Sequence, residues 1–332
     1  MFTARHKLLT LCIVLTLCVV SLGAYVRLSD AGLGCPDWPG CYGKLLGVPD
    51  SHKEISHAET AFPHAPVEAG KAWKEMIHRY LAGILGLLIA ALAVLSIWPR
   101  RHSTLIAPSL FLVGLVGVQA ALGMLTVTWL LKPVIVTLHL LGGMLIFATL
   151  VGMYAKQTLA WVEFSTPAIK VLAWAVTALV FTQIALGGWT STNYAAMACS
   201  DYPLCQGQWI PADLEWSHAF VFNRELGQTT DGQMLSLQSL TAIHWTHRNF
   251  ALVVMGACIA FAIQLRKQTQ TRAMGNAMLT AVIAQVLIGI SNIWLQWPLG
   301  MAVLHNTGAA ILLGISVFTA IQLHRADKPL PI

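Results

Sequence analysis

The sequence predicts an all-α polytopic membrane protein with eight transmembrane helices, arranged as two tandem four-helix bundles. Hydrophobic residues make up 56% of the 332 residues and charged residues only 10%, a composition typical of membrane-embedded chains. Eight apolar stretches are long enough to cross a bilayer, which takes about 20 residues in a helix. The chain also repeats internally, and copies with an even number of helices are expected to be related by a pseudo-twofold axis along the membrane normal.

The apolar stretches fall at 8–28, 76–97, 105–127, 135–155, 168–189, 239–264, 274–294 and 300–322. Four belong to an N-terminal half, residues 1–160, and four to a C-terminal half, residues 161–332. The first stretch resembles a secretory signal, because Arg5 and Lys7 precede it and Ser21 to Gly23 resembles a cleavage site. Its copy at 168–189 lies in mid-chain, where a signal peptide cannot stand. We therefore interpret the first stretch as a retained helix.

Basic residues in the short loops predict the orientation, since lysine and arginine concentrate on the cytoplasmic side. On one side lie Arg5, Lys7, Arg100, Arg101, Lys156, Arg266, Lys267, Arg272, Arg325 and Lys328. The opposite short loops offer only Lys132. Both termini are then cytoplasmic, and the long loops 29–74 and 190–238 face outward. The formal charge of +6 reflects this topology and implies no nucleic-acid partner.

Four of the seven cysteines form two C-x-D-x-P-x-C motifs in the long loops. Cys35 and Cys41 belong to the first motif, and Cys199 and Cys205 to the second. An oxidising compartment favours a disulfide in each loop. A zinc site built from all four thiolates is the alternative, although structural zinc sites usually have closer spacing.

One histidine recurs at the same point in four apolar segments. His78 matches His247, and His139 matches His305, at nearly the offset that aligns the cysteine loops. Ionisable side chains inside a membrane are costly and usually functional. Two facing histidines in a helix bundle are typical axial ligands of a b-type heme, so the sequence predicts two hemes. Hydrogen bonding between helices is the alternative for any single histidine.

Three neighbouring features bear on these predicted hemes. Arg79 and Arg248 follow His78 and His247, where they are candidates for pairing with heme propionates or for anchoring the helix at the interface. Glycines 142, 143 and 308 lie within a turn of the other two histidines and are expected to make room for the macrocycle. Glu75 precedes His78 by one turn, whereas His244 stands at its position in the second half.

This difference predicts that the N-terminal half performs chemistry and the C-terminal half carries electrons. A buried carboxylate near iron is a candidate acid-base group. The alternative is that Glu75 is a solvated residue at a helix start.

Together these motifs resemble the heme A synthase family, in its bacterial branch with paired cysteines in the outward loops. The resemblance rests on Gly32-Leu-Gly-Cys-Pro-Asp-Trp-Pro-Gly-Cys41, on Glu75-Met-Ile-His78-Arg79, on Leu138-His139 with Gly142-Gly143, and on their C-terminal copies. It extends from about residue 20 to about residue 310. The loop from Tyr42 to Trp73 is longer than is typical of that branch.

The resemblance implies oxidation of the C8 methyl group of heme O, through a hydroxymethyl stage, to the formyl group of heme A. His78 and His139 would face the substrate heme with Arg79 nearby, and Glu75 would be catalytic. His247 and His305 would ligate the iron of a heme B. Cys35–Cys41 would form a disulfide that relays electrons or shapes the pocket, and Cys199–Cys205 a structural one.

Heme O synthase is expected as a partner because it supplies the substrate. Oxidase assembly factors, an electron-transfer partner of unknown identity, membrane lipid and a second copy of the chain in a homo-oligomer are further candidates. A noncatalytic diheme cytochrome that takes electrons from quinol is the main alternative function, although Glu75 argues against it. A transporter is a further alternative, but broken helices are not evident. The motifs for covalent heme, the P-loop and dinucleotide binding are absent.

Overall fold

The computed structural model describes residues 4–97, 103–158, 162 and 165–325. In these ranges the regular structure is helical, and strands pair only at isolated β-bridges. The α-helices are α1 (Ala4–Leu28), α2 (His52–Ala61), α3 (Ala69–Ile97), α4 (Ser103–Thr128), α5 (Pro133–Gln157), α6 (Pro167–Thr192), α7 (Leu237–Arg266), α8 (Arg272–Trp294) and α9 (Leu299–Arg325). The predicted all-α class is confirmed for this part of the chain.

All of these helices except α2 have the length and composition to cross a membrane, with mean hydropathy between 1.7 and 2.5. They coincide with the eight predicted stretches but are longer. α3, for example, begins at Ala69 instead of residue 76, because Lys71, Lys74 and Glu75 reduce the apolar character without breaking the helix. The four histidines consequently lie about two to three turns inside their helices.

Some of the predicted features fall outside the described ranges. Arg100, Arg101 and Lys328, which contributed to the predicted orientation, are among them, as is the proposed boundary between residues 160 and 161. The other basic residues of the short loops lie within the described ranges. The two long loops lie at the end of the bundle where α3 and α7 begin, which we call the loop side.

The helix α2 in the first long loop is not predicted by apolar periodicity. A capping box begins it: the Ser51 hydroxyl accepts a hydrogen bond from the Glu54 N–H, and the Glu54 carboxylate accepts one from the Ser51 N–H, a reciprocal arrangement that satisfies two free donors. Lys44 pairs with Glu54 at 2.7 Å. This contact lowers the pKa of the Glu54 carboxyl to about 2. Glu54 thus caps the start of α2 and, through Lys44, also connects α2 to the first cysteine loop.

The helix contacts repeat in the two halves. α1, α3, α4 and α5 form a ring in which each helix packs against the next, and α6, α7, α8 and α9 form a second ring in the same order. Across the junction α9 contacts α1 and α5, and α5 contacts α6. This order supports two tandem four-helix bundles. The pseudo-twofold axis stays a prediction.

Two contacts on the loop side join residues at equivalent repeat positions. A guanidinium N–H of Arg27 donates to the Ser191 carbonyl at 3.1 Å, and the Tyr194 hydroxyl donates to the Asp30 carboxylate at 3.1 Å. Both pairs are 164 residues apart, which is the offset between the cysteine loops. Residues that meet their own copies are expected near an axis relating the two halves, and these contacts support such an axis between α1 and α6.

The two halves share their largest apolar core. Its buried members include Met144 and Phe147 of α5 together with Phe261, Met278 and Leu313 of the second half. In a bilayer such side chains hold helices together by close van der Waals packing, since lipid is as apolar as they are. The halves are therefore packed as one body.

Candidate heme sites

The four predicted iron ligands lie on helices that are diagonal in the two rings. His78 is on α3 and His139 on α5, while His247 is on α7 and His305 on α9. In each half the two histidines are close enough to interact electrostatically. The fold thus brings together the pairs that the sequence predicted, and their roles as ligands stay predictions.

In the N-terminal half each histidine ring lies against a glycine of a neighbouring helix. A Cβ atom at Gly23 of α1 would lie 2.9 Å from Nε2 of His78. One at Gly123 of α4 would lie 3.4 Å from Cε1 of His139. The first distance is too short for any side chain, and the second is tight. The absence of side chains at these glycines leaves room for the imidazoles.

The C-terminal half repeats this arrangement. A Cβ atom at Gly187 of α6 would lie 3.0 Å from Cε1 of His247, and one at Gly289 of α8 would lie 3.0 Å from Cε1 of His305. These glycines stand at the repeat positions of Gly23 and Gly123. Their repetition in the sequence was the available signal.

Glutamine side chains hold both histidines of the C-terminal half. Nε2 of Gln183 lies 3.1 Å from Nδ1 of His247 and donates to the His247 carbonyl at 3.1 Å. Nε2 of Gln285 lies 3.3 Å from Nδ1 of His305 and donates to its carbonyl at 2.9 Å. Each amide group therefore contacts both the ring and the backbone of its histidine. Both rings are therefore positioned by side chains from adjacent helices.

The N-terminal half lacks these amide contacts on its histidines. Val19 stands at the position of Gln183, and only its backbone hydrogen-bonds to His78. Nδ1 of His139 is buried with no hydrogen-bond partner in the described chain, and the same holds for Nε2 of Gln119, the counterpart of Gln285. The two N-terminal imidazoles are thus held less firmly than their copies.

Glycines 142 and 308 do not open onto free space. Gly142 lies against the Gln119 side chain, and Gly308 lies against that of Gln285. These two glycines were expected to accommodate a macrocycle. In the structure their missing Cβ atoms instead let the glutamines of α4 and α8 pack onto α5 and α9.

Disulfides close both cysteine loops, joining Cys35 to Cys41 and Cys199 to Cys205. The predicted pairing is confirmed, and the alternative of a four-thiolate zinc site is wrong. Over the described residues, no cluster of three or more His, Cys, Asp or Glu side chains is suited to a metal ion.

Each loop continues into a tight turn that its aspartate holds. Tyr42 and Gly43 have φ values of 52° and 77°, the left-handed backbone of a two-residue hairpin turn. The Asp37 carboxylate accepts hydrogen bonds from both of their N–H groups, at 2.6 and 2.8 Å. The aspartate of the C-x-D-x-P-x-C motif is therefore needed to fold the loop.

The second loop folds in the same way. Asp201 accepts from the N–H groups of Gln206 and Gly207 at 2.7 and 2.8 Å. Although desolvation by burial acts in the opposite direction, these hydrogen bonds hold the pKa of Asp201 below its ordinary value. The carboxylate thus stays ionised and keeps the turn in neutral solution.

The two arginines clamp these loops through backbone carbonyls. Arg79 donates to the carbonyls of Asp37, Pro39 and Gly40. Arg248 donates to the copies of these carbonyls in the second loop, at 2.9 to 3.1 Å. Binding of heme propionates by the arginines stays a prediction, and the observed contacts support loop positioning instead.

We expect Arg248→Gln to loosen the second loop. Hydrogen bonds from a charged donor are worth about 1.5–3 kcal/mol each, so the free energy of unfolding should fall by about 2 kcal/mol or more. The thermal midpoint and the rate of proteolysis within residues 199–210 would measure the effect. Lys267→Gln, which removes an exposed charge at the other end of α7, is the matched control. Equal midpoints and cleavage rates for the two variants would contradict the clamp.

Glu75 is buried, with 5% of its surface exposed. Its carboxylate accepts a hydrogen bond from the Cys35 N–H at 3.0 Å and pairs with Arg79 at 2.5 Å. The alternative of a solvated residue at a helix start is therefore wrong. In the second half Nδ1 of His244 accepts the equivalent hydrogen bond from Cys199 at 3.1 Å. The two halves use different side chains for one structural task.

Two imidazoles from diagonal helices, each against a glycine, suit the axial ligation of a heme in each half. Gln183 and Gln285 contact the rings of His247 and His305 and donate to their backbone carbonyls, which places both side chains at the site. Nδ1 of His139, buried with no hydrogen-bond partner among the described residues, is a further polar atom that a bound group in the N-terminal half could satisfy. The residues present fit the predicted group in both halves.

Comparison with known families supplies independent information. Residues 6–317 match the COX15-CtaA family, described as cytochrome oxidase assembly protein. That range covers all four histidines and both cysteine loops. The chain belongs to this family. Membership of COX15-CtaA confirms the resemblance found in the motifs.

Relatives in the COX15-CtaA family carry the name heme A synthase. One from Shewanella oneidensis is 43% identical, over 92% of each chain. One from Sphingopyxis alaskensis is 27% identical over 95% of this chain and 89% of its own. One from Caulobacter vibrioides is 26% identical over 92% of each chain. The similarity therefore extends over both bundles.

Proposed function

We propose that this protein is a heme A synthase, which oxidises the C8 methyl group of heme O through a hydroxymethyl stage to the formyl group of heme A. The observation that carries the proposal is the pair of histidine sites with a carboxylate beside only one of them. The 43% identity to a protein named heme A synthase supports the substrate. Heme A then serves heme-copper terminal oxidases.

The N-terminal half binds the substrate in this proposal. His78 and His139 face heme O from diagonal helices. Because these imidazoles lack the glutamine contacts of their copies, they are freer to move, which suits a site that must exchange substrate and product. Glu75 lies one turn from His78, where its carboxylate assists proton removal or stabilises charge that develops at the methyl group.

The C-terminal half holds heme B as a resident cofactor. His247 and His305 would hold its iron, and Gln183 and Gln285 would position their side chains. When bound, heme B supplies a one-electron carrier whose potential depends on its axial ligands. Firm ligation by two positioned imidazoles favours electron transfer over chemistry at the iron.

Arg79 and Arg248 act on the sites through the disulfide loops that they clamp. The Cys35–Cys41 loop lies over Glu75, so it shapes the substrate site, and whether this disulfide also relays electrons is testable by reduction. The Cys199–Cys205 disulfide is structural. The disulfides and the basic residues support a bacterial inner-membrane location with cytoplasmic termini and periplasmic loops.

The proposed partners follow from the chemistry. Heme O synthase supplies the substrate, and oxidase assembly factors receive the product. An electron-transfer partner must accept the electrons withdrawn from the methyl group. Lipid surrounds the helices, and self-association into a homo-oligomer is testable by the mass of the purified protein in a defined detergent.

Mass spectrometry of hemes extracted from the purified protein, produced with and without heme O synthase, tests this function. We expect heme B in both preparations, with heme O, its hydroxylated form and heme A only after co-expression. Heme B alone in both, from membranes shown to contain heme O, would favour a noncatalytic diheme cytochrome and contradict the proposal.

Filling the space beside His247 should weaken heme B binding. Gly187→Leu directs a side chain at a ring already at 3.0 Å from the Cβ position, and overpacking of this kind costs about 1–3 kcal/mol. Heme B affinity should fall about tenfold, which corresponds to about 1.4 kcal/mol. Gly256→Leu on α7 is the control, because nothing lies within 4 Å of its Cβ position. Equal heme titrations would exclude the glycine contact as a determinant.

A further inference from the structure

Each disulfide loop ends in a pair of exposed apolar side chains. Leu45 and Leu46 follow the first hairpin turn and are 74% and 76% exposed. Trp209 and Ile210 follow the second turn and are 72% and 68% exposed. The pairs stand at equivalent repeat positions. Two large apolar residues exposed at the same point of both copies form a patch that needs a partner.

Backbone contacts place the first pair beside α3 at a definable depth. The Gly47 N–H, next to Leu46, donates to the Tyr80 hydroxyl at 2.7 Å. Tyr80 lies about 26 Å along α3 from Ile97, at 1.5 Å per residue. The hydrocarbon core of a bilayer is about 30 Å thick. The tip of the first loop therefore reaches the level at which acyl chains meet headgroups.

The second pair has the same position beside α7. Nε1 of Trp245 donates to the Trp209 carbonyl at 3.1 Å. Trp245 lies about 32 Å along α7 from Arg266, again at the edge of a core about 30 Å thick. Both loops thus fold back along a membrane-spanning helix.

The helix faces that receive the loops are themselves apolar and exposed. Tyr80 shares one face of α3 with Ile77, Ile84 and Leu87, at spacings of three and four residues, and these three are 45%, 48% and 73% exposed. Such a stripe on a membrane-spanning helix faces lipid. Leu45 and Leu46 extend this surface at its loop-side end.

We propose that Leu45–Leu46 and Trp209–Ile210 insert into the lipid leaflet on the loop side, where they anchor the two disulfide loops at the boundary between headgroups and acyl chains. Their continuity with the lipid-facing stripe argues for lipid, and tryptophan is enriched at this level. Lys44 does not oppose insertion because it is paired with Glu54. The proposal rests on the membrane-spanning fold and is independent of heme chemistry.

This anchoring acts on the substrate site through the first loop. The loop carries the Cys35 N–H that contacts Glu75 and the Pro39 and Gly40 carbonyls that contact Arg79. Lipid contact at Leu45 and Leu46 therefore helps hold the loop over the end of α3. In the second half the same contact holds the loop over His244.

Photo-crosslinking of the full chain in nanodiscs of a single phosphatidylcholine tests the insertion. A benzophenone amino acid would replace Ile210 or Leu46 in separate variants, both of which are exposed enough to accept it. Leu87 on the stripe is the positive control. His57, exposed on α2, is the negative control. Intact-mass measurement after illumination detects the added mass of one lipid.

We expect lipid adducts at Ile210 and Leu46 at about ten times the His57 level, because interfacial partition places both labels among lipids. Adducts at Leu87 but none above the His57 level at Ile210 and Leu46 would overturn the proposal. Crosslinks to a second copy of the chain, in place of lipid, would overturn it as well and assign the patch to self-association.

Discussion

Replacing His247 by alanine is expected to abolish the low-spin heme B spectrum of the purified protein. If His247 binds the iron as we propose, the variant loses a nitrogen ligand together with the ring that Gln183 contacts. Loss of an outer-shell partner alone costs about 10- to 100-fold in affinity, so loss of the ligand itself should cost about 100-fold or more. Absorption spectra and heme content per chain would measure this. His305→Ala should behave in the same way.

His244→Ala is the matched control for this experiment. His244 lies one turn from His247 on α7, but it contacts the second disulfide loop through the Cys199 N–H. Its removal should lower stability and leave the heme B spectrum in place. If His247→Ala and His305→Ala both kept the low-spin spectrum, heme B would not be held by the C-terminal pair. Loss of the spectrum in His244→Ala as well would show that the loop affects the site.

The sequence was sufficient to predict the membrane-spanning helices and the pairing of the histidines. Apolar stretches locate membrane helices because the bilayer imposes both a length and a composition. The repeat then placed His78 opposite His139 and His247 opposite His305 without any knowledge of packing. The disulfides of the two loops were also predictable, because the two cysteines of each motif are only six residues apart. The recurrence of the motif in both halves supports the same pairing in each.

The contacts around the predicted residues could not be derived from the sequence. Arg79 follows His78 directly, yet consecutive residues on a helix point in different directions, and its guanidinium reaches the loop carbonyls. Gln183 contacts His247 from another helix, 64 residues away in the chain. The sequence spacing of these two residues does not predict that contact. The α2 helix was missed because it is polar, although Ser51 and Glu54 mark its start.

Because the chain is duplicated, many residues of one half can be compared with the residue at the equivalent position of the other half. The loops, their turns and their arginine clamps are the same in both halves, so these features serve the shared fold. Two positions differ beside the histidines: Val19 stands in place of Gln183, and Glu75 in place of His244. The first difference loosens His78 and the second adds a carboxylate near it. Both changes fall in the half that we assign to chemistry.

Replacing Glu75 by glutamine should leave heme O bound and suppress its conversion to heme A. Glutamine keeps an oxygen that can accept the hydrogen bond from the Cys35 N–H, so the loop should stay in position. It lacks the charge and the proton affinity of the carboxylate. General acid-base groups contribute about 10²- to 10⁴-fold to rates, and the initial rate of heme A formation should fall by about 100-fold or more. Heme extraction over time after co-expression measures both binding and conversion.

The duplicated half again supplies the control, because His244→Gln makes the equivalent change where no reaction is expected. Both variants keep an acceptor for the first cysteine of their loop, but only Glu75→Gln also removes an ion pair, the one with Arg79, so the thermal midpoint of each variant must be compared beside its rate of heme A formation. Heme A formation at the normal rate in Glu75→Gln would remove the carboxylate from the chemistry. Equal losses in Glu75→Gln and His244→Gln would assign Glu75 to the positioning of its loop. Only a loss confined to Glu75→Gln fits a carboxylate that acts on the methyl group of the substrate.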